Sequence, residues 1–230
     1  MKIQGLVKTT LVDFPGHLAC SIFLGGCNFL CPFCHNKSLV LSDCMTENLD
    51  ENYIFDFLEK RMGILEGVCI TGGEPTVHKD LYNFINKIKQ LGYQVKLDTN
   101  GTHPNLMTSL ISDNLIDYVA MDIKNSPQKY VQTVGLNQYD LENIYQSVNV
   151  LLKNNVPYEF RTTIVKEFHT KDDIVSIGEW VQGCNDYYLQ SFHPSENQIV
   201  DGFSSYSKET LESYKDILKK YVYNVHLRGI

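Results

Sequence analysis

Cys27, Cys31 and Cys34 stand with three and then two residues between them, in the stretch Gly25-Gly26-Cys27-Asn28-Phe29-Leu30-Cys31-Pro32-Phe33-Cys34-His35-Asn36. Gly25, Gly26 and Pro32 suit a loop, and a loop can turn three thiolates toward one centre. Soft thiolates select zinc, copper(I) or an iron-sulfur cluster. Structural zinc needs four protein ligands in a closed tetrahedron. The nearby fourth candidates are His35, directly after Cys34, and Cys44, at no familiar spacing. The run Cys31 to His35 also fits the Cys-x-x-Cys-His haem-attachment pattern, which requires export. A thioredoxin-like pair of Cys31 and Cys34 leaves Cys27 unexplained. Three thiolates on a four-iron cluster would leave one iron without a protein ligand, open to a substrate like the free position of a catalytic metal.

The rest of the chain must hold that loop. Residues 1–17 read as an extended lead-in turning at Asp13-Phe14-Pro15-Gly16, and Leu18 to Leu24 reads as the first strong strand. Apolar residues spaced by three and four then predict helices over Leu49 to Met62, Asp80 to Leu91, Leu141 to Asn154, Asp172 to Val181 and Lys208 to Tyr221, with a shorter one opened by Pro104. Between them lie strands at Gly67 to Thr71, Gln94 to Asp98, Ile116 to Ile123, Pro157 to Val165 and Tyr187 to Phe192, with a short final strand at Asn224 to Arg228. Strands alternating with helices predict a mainly parallel α/β sheet, as a doubly wound sheet or a complete or partial barrel. In a parallel barrel, ligands bind at the C-terminal ends of the strands. The unusual residues fall there repeatedly: the cysteines, Gly72-Gly73-Glu74-Pro75, Asp98-Thr99-Asn100-Gly101, Asp122 with Lys124, and His193-Pro194.

The cysteine spacing with Phe33 before the third cysteine, followed by Gly72-Gly73-Glu74-Pro75, resembles the radical S-adenosylmethionine enzymes. Cys31 to Asn36, Asp98 to Gly101, Met121-Asp122-Ile123-Lys124 and His226-Leu227-Arg228-Gly229 narrow the resemblance to the glycyl-radical-enzyme activases. The whole chain is most similar to the branch of anaerobic ribonucleoside-triphosphate reductase activating proteins and pyruvate formate-lyase activating enzymes. The resemblance implies one domain over residues 1–230, a partial (β/α)6 TIM-type barrel open at its side after the lead-in. It implies that Cys27, Cys31 and Cys34 hold a 4Fe-4S cluster whose open iron chelates S-adenosylmethionine. Reductive cleavage then gives a 5′-deoxyadenosyl radical, which takes hydrogen from a glycine of a partner enzyme.

The same resemblance gives Gly72 and Gly73 a close backbone approach to the cofactor, Glu74 its ammonium and Phe33 its adenine. Asp98, Asn100 and Lys124 would contact the ribose and carboxylate region, with Thr162 and His193 as further contacts. Asp98, Thr99 and Asp122 would hold a monovalent cation. A tight turn at Gly72 to Pro75, or an Asp98–Lys124 pair at the rim, would use the same residue types for structure alone. A radical enzyme acting on a small molecule such as a deazapurine precursor is one alternative, and a zinc or redox-sensing module is another.

Composition sets the outer bounds. The 230 residues are 43% hydrophobic and carry a net charge of -7, with a pI near 5.5, which argues against nucleic acid or an anionic membrane as partner. The N-terminal sequence lacks the apolar core of a signal peptide, which points to the cytoplasm. Seven cysteines, an odd number, fit metal chemistry better than a disulfide framework. Cys20, Cys44, Cys69 and Cys184 stand apart from any ligand spacing, so the electron is expected from outside, from a flavodoxin or ferredoxin.

Overall fold

The computed structural model describes residues 1–41 and 47–230. Its centre is an eight-stranded sheet in sequential order: β1 (Ile3–Thr10), β2 (Ala19–Leu24), β3 (Gly67–Gly72), β4 (Gln94–Thr99), β5 (Tyr118–Asp122), β6 (Tyr158–Ile164), β7 (Asp186–Ser191) and β8 (Asn224–Arg228). The lead-in is a true strand, since β1 pairs antiparallel with β2. Every later pair is parallel, and β8 joins beside β7 as a seventh parallel strand. The sheet is open, with β1 and β8 as its edges. It curls enough that Asp13 and Pro15, just past β1, share a cavity with Gln190 of β7 and Arg228 of β8.

Helices cover the outer face: α1 (Lys37–Val40), α2 (Glu51–Glu59), α3 (Leu81–Gln90), α4 (Pro104–Ser112), α5 (Tyr130–Thr133), α6 (Glu142–Leu151), α7 (Lys171–Trp180) and α8 (Lys208–Leu218). Their buried stripes follow the predicted spacing, with Leu81, Phe84, Ile85 and Ile88 inward on α3 and Ile144, Val148 and Leu151 on α6. Local signals fix their starts. Asp50 caps α2 by accepting from Asn52 N, and Thr170 with Asp173 forms a reciprocal capping box on α7. Pro104 opens α4, where its missing N–H has no helical partner to lose.

The parallel strands are buried on both faces, as crossover helices require. Their outward residues, such as Val68, Ile70, Val95, Leu97 and Val119, join one hydrophobic core. The inward face differs. Lys96 and Asp98 on β4, Asp122 on β5 and Glu159 and Arg161 on β6 stand at alternate positions, so the inside of the curl is charged. Cys20, Cys69 and Cys184 are buried and free of disulfides; Cys20 and Cys184 pack in the core as small hydrophobes, while Cys69 faces the charged interior, its Sγ 3.8 Å from Lys96 Nζ, and Cys44 lies outside the described residues. No described helix is long and apolar enough to cross a membrane.

Candidate active site

The cysteine loop leaves β2 and is tied down by backbone bonds on several sides. Gly25 N donates to Lys2 O (2.9 Å), Gly26 N to Leu39 O (2.6 Å) and Leu30 N to Val134 O (2.9 Å). Inside the loop Cys34 N donates to Cys31 O (2.9 Å), and Val200 N and Ile199 N reach Pro32 O and Cys34 O from the segment after β7. Cys27, Cys31 and Cys34 all line one cleft at the C-terminal ends of the parallel strands. Burial pushes the Cys31 thiol up to about 12 and the Cys27 thiol to about 11, and raises Cys34 as well, so metal binding has to displace their protons. Among the described residues no three His, Cys, Asp or Glu groups come close enough to share one metal ion. The three thiols nevertheless share the lining of one cleft, and soft thiolates in that number suit an iron-sulfur cluster. His35 turns away and stacks on Phe192, with ring centroids 5.1 Å apart.

The end of β3 is locked against this loop. Gly73 N donates to Leu24 O and Glu74 N to Gly26 O, both at 2.8 Å, while Asn36 Nδ2 donates to Gly72 O at 2.9 Å. Gly72 has φ +118, and a Cβ there would sit 2.4 Å from Leu24 O. Only glycine accepts both conditions.

Glu74 acts first on its own chain. Its Oε1 accepts from Thr76 N (3.0 Å), Thr76 Oγ1 (2.5 Å) and Thr99 Oγ1 (2.8 Å), and its Oε2 from Asn100 N (2.6 Å). Burial raises its carboxyl, and the donors on Thr76, Asn100 and Thr99 oppose that rise. The side chain thus pins the turn after β3 to the turn after β4. Glu74→Gln should destabilise the apo chain by about 1–3 kcal/mol, because an amide nitrogen would face donors and leave one unpaired. Denaturant unfolding checks this, and an unchanged or higher midpoint would mean that relief of charge burial outweighs the lost bond.

Asn100 extends the same lock, donating from Nδ2 to Asn28 Oδ1 (2.9 Å) and accepting at Oδ1 from Thr102. Beneath it lies a charged lattice. Lys96 and Arg161 both pair with Asp98, the latter at 3.2 Å, and Thr71 Oγ1 donates to Asp98 Oδ2 at 3.0 Å. Arg161 Nε also bonds Asp122 Oδ1, and Lys124 Nζ bonds Asp122 Oδ2 at 2.8 Å. Burial would raise both carboxyls, but Arg161 with Lys96 at Asp98, and Arg161 with Lys124 at Asp122, hold them below the usual range.

Of the residues expected from sequence, the structure brings together Cys27, Cys31, Cys34, Gly72, Gly73, Glu74, Asp98, Thr99, Asn100, Asp122 and Lys124 around the cleft. Three lie apart from its lining. Phe33 is buried between Phe168 and Phe192 at 5.4 and 6.4 Å, and Thr162 Oγ1 bonds Ile123 O and Tyr187 Oη. His193 Nε2 donates to Gly229 O at 2.6 Å beside a different cavity. Sequence reasoning missed Arg161, Asn36 and Thr71. A charged residue at an inward position of a strand that reads as apolar was the available signal for Arg161.

A family model described as the Radical SAM superfamily matches residues 21–181. A Methanocaldococcus jannaschii protein provisionally named as a glycyl-radical enzyme activating enzyme is 34% identical over 99% of this chain and 96% of its own length. Among solved structures, a domain of the pyruvate-formate lyase-activating enzyme of Bacteroides vulgatus aligns with a TM-score of 0.57 at 18% identity, over 71% of this chain and 99% of that one. SuiB of Streptococcus suis, bound to S-adenosylmethionine, aligns at 0.68 and 12% identity over 90% of this chain and 51% of that one. At these identities the solved structures bear on the fold.

Proposed function

Because this chain belongs to the radical SAM superfamily, we propose that it activates a glycyl radical enzyme of the anaerobic ribonucleotide reductase type, with Cys27, Cys31 and Cys34 as ligands of a 4Fe-4S cluster. The observation that carries the reading is the convergence of the three thiols with the Gly72–Glu74 turn on one cleft at the C-terminal strand ends. The near full-length relative named as a glycyl-radical enzyme activating enzyme supports the choice of substrate class.

When bound, the cluster and S-adenosylmethionine supply a 5′-deoxyadenosyl radical that removes hydrogen from the partner's glycine. The chain's own residues bind and orient. Gly72 and Gly73 let the turn after β3 close onto Leu24 and the cysteine loop's Gly26, where a Cβ would collide with backbone, and so hold that turn at the cleft beside the cofactor. Lys124, just past β5 and electrostatically coupled to the Cys31 and Cys34 thiols, would meet the cofactor's carboxylate, while Asn36, bonded to Gly72 O, and Asn100, bonded to Asn28 and Thr102, would hold the turns that flank it. The charged lattice under the cleft is fixed in advance, so cofactor binding needs little reorganisation. The sheet's open side admits a protein loop, and a flavodoxin or ferredoxin brings the electron.

The test is deuterium transfer. The anaerobically reconstituted protein, reduced with S-adenosylmethionine and a partner labelled with deuterated glycine, should release deuterated 5′-deoxyadenosine and leave a glycyl radical visible by electron paramagnetic resonance. Deuterium arriving instead from a soluble metabolite would favour the small-molecule alternative. One zinc and no sulfide in the anaerobically purified protein would favour the binding module.

A further inference from the structure

Asp98, Thr99 and Asp122 do not fit a monovalent cation in this chain. Each oxygen of the two carboxylates already takes a protein donor: Lys96 and Asp122's neighbour Lys124 on the outer oxygens, and Arg161 on an inner oxygen of each, joined at Asp98 by Thr71. The Thr99 hydroxyl is engaged too, donating to Glu74 and accepting from Gly101 N at 3.1 Å. Lys96, Arg161 and Lys124 would repel a further cation at Asp98 and Asp122, while the neighbouring carboxylates are engaged elsewhere, Glu74 by Thr76, Thr99 and Asn100 and Glu159 by Arg228 and Tyr118. Arg161 is the group in the bridging position. It reaches from β6 with Nε on Asp122 and Nη2 on Asp98, and a planar guanidinium is suited to such two-point contact. Its register makes this possible: Arg161 of β6 stands beside Asp122 of β5, and small Ala120 of β5 is the residue beside Asp98 of β4.

We propose that Arg161 is a tethered cation that fills the place of a mobile one, so that the folded cleft of this chain needs no monovalent ion. The proposal rests on the reading of the cleft as a cofactor site, but its test reads the folded protein and not its chemistry. The melting temperature of the reconstituted full chain is measured in potassium, sodium and tetramethylammonium chloride at equal ionic strength. For the wild type the melting temperature should agree among the three salts to within about 1 °C, where saturable ion binding would shift it by several degrees. Arg161→Met should melt roughly 10 °C lower in tetramethylammonium, since it strands buried carboxylates, and recover about half of that loss in potassium or sodium. Arg161→Lys, which keeps the charge, should show no ion-specific recovery. Saturable stabilisation of the wild type by potassium or sodium overturns the proposal, as does an Arg161→Met protein that all three salts treat alike. Should Arg161→Met fail to fold, the wild-type series decides alone.

Discussion

Cys31→Ala is expected to yield a folded protein that reconstitutes no cluster and releases no 5′-deoxyadenosine above background. Cys31 is only 7% exposed and stands between the other two thiols in the loop. A cluster that already has one iron without a protein ligand would be left with two, and two thiolates do not hold it. The loss should exceed about 100-fold, more than the 10–100-fold typical of changes one layer away from a metal. The visible absorbance of the reconstituted protein and its yield of 5′-deoxyadenosine are the measurements. Cys69→Ala is the control, because Cys69 is equally buried but lies in β3 away from the cleft lining. It should keep the cluster and lose only a small packing contribution and the weak contact of its Sγ with Lys96 Nζ, which retains Asp98. Normal cluster content in Cys31→Ala, or its loss in Cys69→Ala, would refute the assignment of ligands.

Gly73→Ala should be strongly damaging although it adds a single methyl group. A Cβ at this position would stand 2.0 Å from Gly26 O and 2.8 Å from Gly26 C, both backbone atoms that cannot rotate away. The turn after β3 would have to lift from the cysteine loop, breaking the bonds from Gly73 N to Leu24 O and from Glu74 N to Gly26 O. Overpacking and two weakened hydrogen bonds together amount to about 3 kcal/mol, or roughly 10 °C in melting temperature for a chain of this size. Cofactor binding should fall with it, since the turn and the thiols share the cleft. Gly183→Ala gives the comparison: it has φ +87 but nothing within 4 Å of the added carbon, so only backbone strain of about 1–2 kcal/mol applies. Equal melting of the two variants would show that the close approach at Gly73 carries no special weight.

Much of this was legible before any coordinates. The cysteine spacing, the glycines after β3 and the polar residues after β4 and β5 could be read from local sequence, because the pattern of strand, loop and helix is written in short-range periodicity. The same local logic placed the six longer helices to within a few residues, as the buried stripes of α3 and α6 illustrate, but not the one-turn helices α1 and α5, too short to show a period. It went less far with Phe33 and Thr162. Their neighbours in sequence line the cleft or belong to its strands, but Phe33 turns into an aromatic cluster and Thr162 faces Tyr187 across the sheet. Side-chain direction within a loop or strand depends on what packs beside it, and those partners are distant in the chain.

The sequence by itself determined that three thiolates with no natural fourth partner would sit at the end of the first parallel strand, beside a glycine turn that could approach a ligand. That follows from residue type and spacing alone. Only the tertiary structure decided what those elements hold on to. Glu74, an acceptor for a ligand when read from sequence, is bonded by four donors of its own chain. Arg161, unremarked in a strand, bridges two carboxylates from two other strands. Charge neutralisation inside a curled sheet is set by register between strands, and register is a property of the assembled sheet that no single stretch of sequence contains.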